Sequence, residues 1–345
     1  MTEFDFQRIP APLLSWYRAH KRDLPWRKNP TPYRVWVSEI MLQQTRVEAV
    51  KEYFARFMAE LPDVFALAAC GEEKLLKLWE GLGYYSRARN LQKAAKILVN
   101  FYDGEFPRDV RALMDLPGIG SYTAGAIASI AFGMPVPAVD GNVFRVMARL
   151  EENPACIADP KYRRYLEDVL SAIYPHRGED CSAFTQSLFE LGALICKPQN
   201  PVCAQCPLRN ICRANRNATQ TLFPVMPEKK SKRQEKVAIF LIETPEGFCI
   251  RRREGGVLRG MNEFPSEVLQ GDDTPEKVLN EWGMYAFTEI SRKKYVHIFT
   301  HIRWDITCVW IRADSAPFDA YMLEEIEDSI SLPTAFKQCL GILRE

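Results

Sequence analysis

Four of the ten cysteines of this chain crowd into one short segment. They are Cys196, Cys203, Cys206 and Cys212, spaced C-x6-C-x2-C-x5-C, whereas the other six lie far apart. Four thiolates so close in sequence can converge on one metal centre, and an intracellular chain has little use for disulfides. A loop tied to a metal at four points must fold around it, so this spacing strongly constrains residues 196–212.

The spacing alone leaves the metal open. The Cys206-Pro-Leu sequence resembles the cysteine–proline turns found beside iron–sulfur ligands, although neither ferredoxin pattern is present. Four-cysteine zinc sites also use a C-x2-C unit but more often pair two of them. The pattern favours an iron–sulfur cluster over zinc, and a metal-free loop is the third alternative.

The chain changes character near Pro224. Residues 1–225 carry amphipathic segments separated by Pro and Gly, which predicts a helical domain. The predicted helices include Val47–Met58, Glu72–Trp79, Ala88–Phe101 and Lys161–Ile173. Residues 226–236 are charged and almost free of apolar side chains, which predicts a solvated linker, with phosphate contacts as the less favoured alternative.

Residues 237–345 alternate short β-branched runs with helical segments, which predicts a small α+β domain. The predicted strands are Val237–Glu243, Phe248–Arg252 and Ile302–Ile311, and the predicted helices are Pro275–Trp282 and Leu332–Leu343.

Composition limits the location more than the partner. No apolar segment follows a basic start, and the longest apolar stretch, 126–139, contains two prolines. We therefore expect neither a secretory signal nor a membrane span, and a cytoplasmic location. The net charge is only +1, and residues 1–225 hold 28 Lys and Arg against 24 Asp and Glu. This mild excess permits nucleic-acid binding without requiring it.

Residues 116–124, Leu-Pro-Gly-Ile-Gly-Ser-Tyr-Thr-Ala, join a turn to a helix. Gly118 and Gly120 are expected to adopt positive φ and to let the backbone approach another molecule. Amides at the start of the following helix can hold a phosphate without reading a base. Most such turns are only turns, but this arrangement resembles the helix–hairpin–helix of DNA repair enzymes, here at about 113–130.

Two carboxylates stand out. Asp140 precedes a predicted helix, Val143–Leu150, where a plain N-cap is the ordinary interpretation. Glu39 lies among apolar residues, and burial would raise its pKa towards neutrality, so that it could donate a proton. Gln43 is four residues further and would share its helix face. Without context, a surface carboxylate is the simpler interpretation of Glu39.

Together these segments resemble the MutY-type adenine DNA glycosylases. The resemblance rests on several segments in the family's order, and these are Leu24-Pro-Trp-Arg27, Ser38–Thr45, Gly81–Asn90, the hairpin, Asp140-Gly-Asn142 and Leu191–Cys196. The four cysteines match the family's spacing, which implies one 4Fe-4S cluster rather than zinc. The implied architecture is multidomain, an all-α glycosylase domain followed by an α+β, Nudix-like one.

The resemblance also implies an activity and assigns residues to it. The implied reaction is excision of adenine mispaired with 8-oxoguanine or guanine in duplex DNA, after the base has been flipped out. Glu39 would protonate adenine, and Asp140 would stabilise an oxocarbenium-like or transient covalent sugar intermediate. Tyr122, Asn142 and Glu190 match residues that support these carboxylates. We expect a monomer, associated with the nucleoid if the source is bacterial.

Further matches concern the DNA. Arg27 matches a residue lining the adenine pocket, and Gln44, Leu82 and Tyr84 match residues that contact or wedge beside 8-oxoguanine. Core packing is the ordinary alternative for Leu82 and Tyr84, and the glycines around Tyr84 favour an exposed turn there. Lys197, Arg209 and Arg213 flank the cysteines, so the cluster loop is expected to contact DNA.

Tyr122 occupies the position at which endonuclease III-like relatives carry a Schiff-base lysine, so a glycosylase without a β-lyase step is predicted. Two alternatives are an endonuclease III-like lyase and a non-enzymatic iron–sulfur DNA-binding protein.

The second domain resembles the family's MutT-like module from Gly256 to Pro265. Its helix carries too few carboxylates to bind Mg²⁺, so we expect binding without hydrolysis. Phe299, Thr300 and His301 resemble the family's Phe-Ser-His loop for 8-oxoguanine. Thr300 keeps the hydroxyl but adds a methyl group. For the neighbouring His297, a satisfied strand histidine is the alternative to a recognition role.

Overall fold

The computed structural model describes residues 4–176, 178–228 and 231–344. The chain divides into two compact units, Met1–Ala69 with Arg89–Glu228, and Cys70–Ala88 with Lys229–Glu345. None of the described helices combines the length and apolar character needed to cross a membrane.

Residues up to 228 are helical, as the amphipathic pattern predicts. Their α-helices are α1 (Pro10–His20), α2 (Pro32–Leu42), α3 (Val47–Glu60), α4 (Val64–Ala69), α5 (Glu72–Trp79), α6 (Ser86–Tyr102), α7 (Val110–Met114), α8 (Ser121–Ala126), α9 (Gly141–Glu151), α10 (Pro160–Ile173), α11 (Gly178–Leu194) and α12 (Arg213–Asn217). Short 3-10 turns cover Phe6–Arg8, Pro25–Arg27, Cys203–Gln205 and Gln220–Leu222, and a π turn covers Ile127–Ala131.

Local sequence explains where several of these helices begin. Pro32 and Pro160 open α2 and α10 at positions where a missing amide proton costs nothing. Thr31 and Asp159 accept backbone hydrogen bonds as N-caps. One core joins α1, α9, α10 and α11, and the cysteine loop packs against it through Cys196, Cys206 and Cys212.

The predicted hairpin lies between α7 and α8. Gly118 has φ +82°, and an added Cβ there would lie 2.8 Å from Asn90 Cβ, so both conformation and space require glycine. The expectation of positive φ at Gly120 is wrong. Its φ is −94°, extended backbone that other residues adopt, because it already serves as the N-cap residue of α8.

The remaining described residues form a sheet with helices. The strands are β1 (Arg233–Thr244), β2 (Gly247–Arg252), β3 (Asn262–Glu263), β4 (Ser266–Leu269), β5 (Thr288–Ile298), β6 (Ile302–Arg312) and β7 (Asp319–Tyr321). The helices are α13 (Pro275–Glu281), α14 (Leu323–Asp328), α15 (Thr334–Lys337) and a 3-10 turn, Gln338–Arg344. The single helix predicted over 332–343 is thus a short α-helix continued by a 3-10 turn.

The sheet order is β3-β2-β1-β6-β5, with β4 pairing β1 and β7 pairing β2. β1 and β6 run parallel, and β5 and β6 form an antiparallel hairpin. Side chains of β1 alternate between two cores, so that Ile239 packs with α14 and α15 while Phe240 packs with α13. This layered α+β arrangement agrees with the predicted class.

The division of the chain differs from the predicted boundaries in two respects. β1 begins at Arg233, inside the stretch 226–236 that its charges marked as a linker, because residues 233–236 pair with β6 along the backbone. Lys229 and Lys230 of that stretch lie outside the described residues. Residues 70–88, expected with the helical domain, group with the second unit.

Candidate active site and cysteine loop

Helix α2 carries Glu39 into the interior of the first unit. The helix is apolar on nearly every face, and only 5% of Glu39 is exposed. Burial raises the pKa of the Glu39 carboxyl to about 7. A hydrogen bond from the Tyr122 hydroxyl to Glu39 Oε2 opposes this rise. A carboxyl with this pKa exists in both protonation states at neutral pH, which suits a general acid.

Asp140 is the N-cap of α9, so the capping interpretation is confirmed. Its Oδ1 accepts from Val143 N at 2.8 Å, and its Oδ2 accepts from Asn142 Nδ2 at 2.7 Å. Burial raises the pKa of Asp140, while these hydrogen bonds act against the rise. The charge of Asp140 raises the pKa of Glu39, so the two carboxyls lie close enough to interact electrostatically.

The amide of Asn142 connects Asp140 with the cysteine loop through Arg145. Arg145 Nη2 donates to Asn142 Oδ1 at 2.8 Å and to Gly192 O at 2.8 Å, and its Nε donates to Cys196 O at 2.7 Å. Arg145 is only 8% exposed, so these acceptors replace its lost hydration. The orientation of Asn142, and with it of Asp140, therefore depends on the backbone at Cys196.

Glu190 is linked to the Glu39 side of the site by its ion pairs with two arginines. Its fully buried carboxylate accepts from Arg22 Nε at 2.7 Å and from Arg27 Nη2 at 3.0 Å. Burial would raise the pKa of Glu190, but these hydrogen bonds prevail and lower it to about 2. Arg27 in turn lowers the pKa of Glu39. Glu190 thus positions Arg27, whose charge acts on the carboxyl of Glu39.

The two glutamines after Glu39 lie at the end of its helix and just beyond it. Helix α2 ends at Leu42, and Gln43 is its C-cap residue with φ −59° and ψ 113°. The face that Gln43 shares with Glu39 stays a prediction. Gln44 is exposed and has φ +60°. The predicted base-contacting residue therefore lies on a turn at the surface of the first unit.

The two predicted wedge residues on the turn after α5 differ in how far they are exposed. Leu82 is only 6% exposed, which agrees with the alternative of core packing, whereas Tyr84 is 44% exposed. The Tyr84 hydroxyl lies 2.6 Å from Thr300 Oγ1, within the second unit. Of the two side chains, that of Tyr84 is the one a ligand can reach.

The predicted recognition loop connects β5 to β6. Phe299 packs between His297 and Trp304, with ring centroids 4.6 and 4.8 Å away, while Thr300 and His301 are exposed at the tip. His297 is half-buried, and burial lowers its pKa. Phe299 thus anchors a loop that presents two polar side chains to solvent.

The four predicted ligand cysteines line one cavity. Its other lining residues are Arg149, Ile195, Pro201, Arg209, Asn215 and Gln220. Arg149 Nη1 lies 3.4 Å from Cys196 Sγ, and Gln220 Nε2 lies 3.8 Å from Cys203 Sγ. Four thiols with donors aimed at two sulfurs fit the ligand set of an iron–sulfur cluster. Among the described residues, no three Cys, His, Asp or Glu side chains are grouped so as to hold a single metal ion.

Sequence reasoning missed three arginines that shape this site. Arg145 and Arg149 are buried on α9, and Arg149 donates to the backbone oxygens of Lys197, Pro198 and Phe223. Arg22 holds Glu190. The available signal was the i, i+4 spacing of Arg145 and Arg149 on an otherwise apolar helix.

Two family models match the chain. One, described as HhH-GPD superfamily base excision DNA repair protein, covers residues 37–171, and the other, a NUDIX domain, covers residues 238–341. The helical architecture with its hairpin and the layered C-terminal sheet agree with these two matches.

Individual relatives extend the match to most of the chain. An adenine DNA glycosylase of Arabidopsis thaliana is 38% identical over 88% of this chain, which spans 56% of that protein. An adenine DNA glycosylase of Buchnera aphidicola subsp. Baizongia pistaciae is 31% identical over 96% of this chain and 92% of its own length. A trapped endonuclease III–DNA covalent intermediate is 30% identical with TM-score 0.53, covering 63% of this chain and 99% of that one.

Proposed function

Because this chain belongs to the adenine DNA glycosylase family of base excision repair proteins, we propose that it excises adenine mispaired with 8-oxoguanine or guanine in duplex DNA. The observation that carries the proposal is the buried pair Glu39 and Asp140, one carboxyl with a pKa of about 7 and one held by two hydrogen bonds. Such a pair suits acid-assisted cleavage of a glycosidic bond.

The two carboxyls divide the work. The adenine leaves the base stack to reach the pocket, at a cost of a few kcal/mol. Protonated Glu39 donates to adenine N7, which makes the base a better leaving group. Asp140, kept in place by Asn142 and the amide of Val143, stabilises the positive sugar directly or through a transient covalent bond before water adds.

The reaction ends with an abasic site and no strand cleavage. A β-lyase step needs an amine that forms a Schiff base with the sugar aldehyde. Tyr122 occupies the position at which endonuclease III-like relatives carry a Schiff-base lysine. It offers only a hydroxyl, which is hydrogen-bonded to Glu39. The lyase alternative therefore lacks its nucleophile at this position.

The function is tested by measuring free adenine released from a duplex containing A opposite 8-oxoguanine. We expect release from this duplex and from A opposite guanine, with none from A opposite thymine. No release from either mispair would contradict the proposed substrate. A protein that only binds DNA would retain both duplexes and release nothing.

The excision rate should depend on pH through both carboxyls. Glu39 must carry its proton, so the rate falls as pH rises through about 7, whereas Asp140 must be ionised, so the rate also falls in acid. Tyr122→Phe removes a hydrogen bond that lowers the pKa of Glu39, and the alkaline limb should therefore move to higher pH. A pH–rate profile under single-turnover conditions measures this shift, and an unmoved alkaline limb would argue against Glu39 as the acid.

Thr300 is proposed to read 8-oxoguanine from the tip of the β5–β6 loop. Thr300→Val keeps the shape and removes the hydroxyl, so we expect the preference for A:8-oxoG over A:G to fall by about tenfold. Thr300→Ser should retain it. Equal losses on both duplexes would show that Thr300 does not discriminate between the two bases.

The cavity formed by Cys196, Cys203, Cys206 and Cys212 is proposed to hold one 4Fe-4S cluster, which would fix the loop that carries Lys197 and Arg209 against DNA. Purified protein should be brown, with broad visible absorption and about four iron atoms per chain. Cys206→Ser should lower the iron content. A colourless, zinc-containing protein would contradict the cluster.

The C-terminal domain is proposed to act in recognition without hydrolysing nucleotides. On α13, Glu276 pairs with Arg292 of β5 at 2.5 Å, and few other carboxylates are available there for Mg²⁺. As a repair enzyme acting on duplex DNA, the protein would work as a monomer at the chromosome, in the cytoplasm if the source is bacterial.

A further inference from the structure

The turn 81–84 holds an exposed aromatic ring in an unusual backbone conformation. Gly81, Gly83 and Tyr84 have φ of +97°, +69° and +48°, all in the left-handed region. Glycine adopts this region freely, but for tyrosine it is unfavourable and needs support from its surroundings. No atom crowds a Cβ added at Gly83, so conformation rather than space accounts for that glycine.

Arg87 supplies contacts that support this conformation. Its Nη2 donates to Leu82 O at 2.9 Å and to Gly83 O at 3.0 Å, the two carbonyls at the centre of the turn. Its backbone amide donates to Tyr84 O at 2.9 Å. One guanidinium therefore fixes successive peptide groups that water would otherwise solvate.

The same guanidinium orients the ring. The Arg87 Cζ lies 5.4 Å from the centroid of Trp79 and 5.5 Å from that of Tyr84, within the range of cation–π contacts. Trp79 is fully buried and donates its indole proton to Gly83 O at 3.2 Å. Tyr84 is thus held on its face by Arg87 and at its hydroxyl by Thr300.

We propose that Arg87 is a positioning residue that sets the Tyr84 ring for insertion beside 8-oxoguanine before DNA binds. The proposal rests on the proposed function and takes Tyr84 as the wedge beside 8-oxoguanine that the family resemblance implies. A planar guanidinium is required, because a lysine ammonium can neither bridge the two carbonyls in the same way nor stack between the two rings. Preorganisation lowers the cost of ordering the turn on binding.

The test measures affinity for a duplex with 8-oxoguanine opposite an uncleavable abasic analogue, which requires no excision. Arg87→Lys and Arg87→Met should each weaken binding by about tenfold, of the order of one lost stacking contact. In a Tyr84→Ala background, Arg87→Met should weaken it by less than about twofold, because the contact it serves is already gone. Lys96→Gln, an exposed charge on the same helix, α6, is the control for lost charge.

Equal losses from Arg87→Met in the wild-type and Tyr84→Ala backgrounds would overturn the proposal, since Arg87 would then act through another contact. Full affinity in Arg87→Lys would overturn the need for a planar group. A thermal midpoint for each variant separates loss of the fold from loss of positioning, and the Lys variant tests the proposal if the Met variant fails to fold. Wild-type protein that binds this duplex but releases no adenine would sink the proposed function and leave this test intact.

Discussion

Asp140→Asn is expected to lower the rate of adenine excision by on the order of 10³-fold while leaving the fold intact. Asn keeps the shape of Asp140 and can still cap α9, so the helix start loses little stability. It lacks the negative charge that stabilises the developing sugar cation and the oxygen nucleophile for a covalent intermediate. Single-turnover excision of A opposite 8-oxoguanine measures the loss.

Asp159→Asn is the matched control for this variant. Asp159 caps α10, accepting from Lys161 N at 2.8 Å, and its amide replacement should leave both rate and thermal midpoint unchanged. An Asp140→Asn protein that unfolds at a much lower temperature would show that the charge is structural. A protein that excises adenine at the wild-type rate would remove Asp140 from the mechanism.

Glu39→Gln should lower excision by about 10²–10⁴-fold, because the amide has no proton to donate to adenine. The same change should raise the thermal midpoint at pH 8. The pKa of Glu39 rises from 4.5 to about 7 on folding, so the folded state binds the extra proton and stability falls as pH increases through that window. Replacing the ionisable carboxyl therefore recovers at most about 3 kcal/mol of the free energy of unfolding at alkaline pH.

Glu52→Gln, at an exposed position on α3, serves as the control for Glu39→Gln. It should leave both the excision rate and the thermal midpoint at pH 8 unchanged. If Glu39→Gln kept the wild-type rate, another acid would have to protonate the base. A thermal midpoint that fell at pH 8 would show that the ionised carboxylate stabilises the fold.

The sequence predicted the two domain types because helix periodicity and strand alternation are properties of consecutive residues. The local patterns around Glu39 and Asp140 favoured a surface carboxylate and a plain N-cap, and only the resemblance to a family implied catalytic roles for them. The turn chemistry was predicted only in part. Gly118 needs its positive φ, but Gly120 does not, since the start of α8 allows an ordinary extended residue.

The features that escaped prediction depend on contacts distant in sequence. Strand β5 is rich in charge, and it is a strand because it pairs with β6 along its length. Arg22 and Arg145 were not singled out, because the acceptors beside them, Glu190 and the backbone at Cys196, lie far away in sequence. The link between Tyr84 and Thr300 joins residues 216 positions apart, which no local pattern reports.

Strand scission of a duplex with A opposite 8-oxoguanine, measured with and without alkali, is the most direct test of a two-carboxylate glycosylase without a lyase step. We predict scission only after alkali treatment for the wild-type protein, and for Asp140→Asn the same alkali-dependent scission slowed by on the order of 10³-fold. Scission by the wild-type protein without alkali, or alkali-dependent scission by Asp140→Asn at the wild-type rate, would contradict the account.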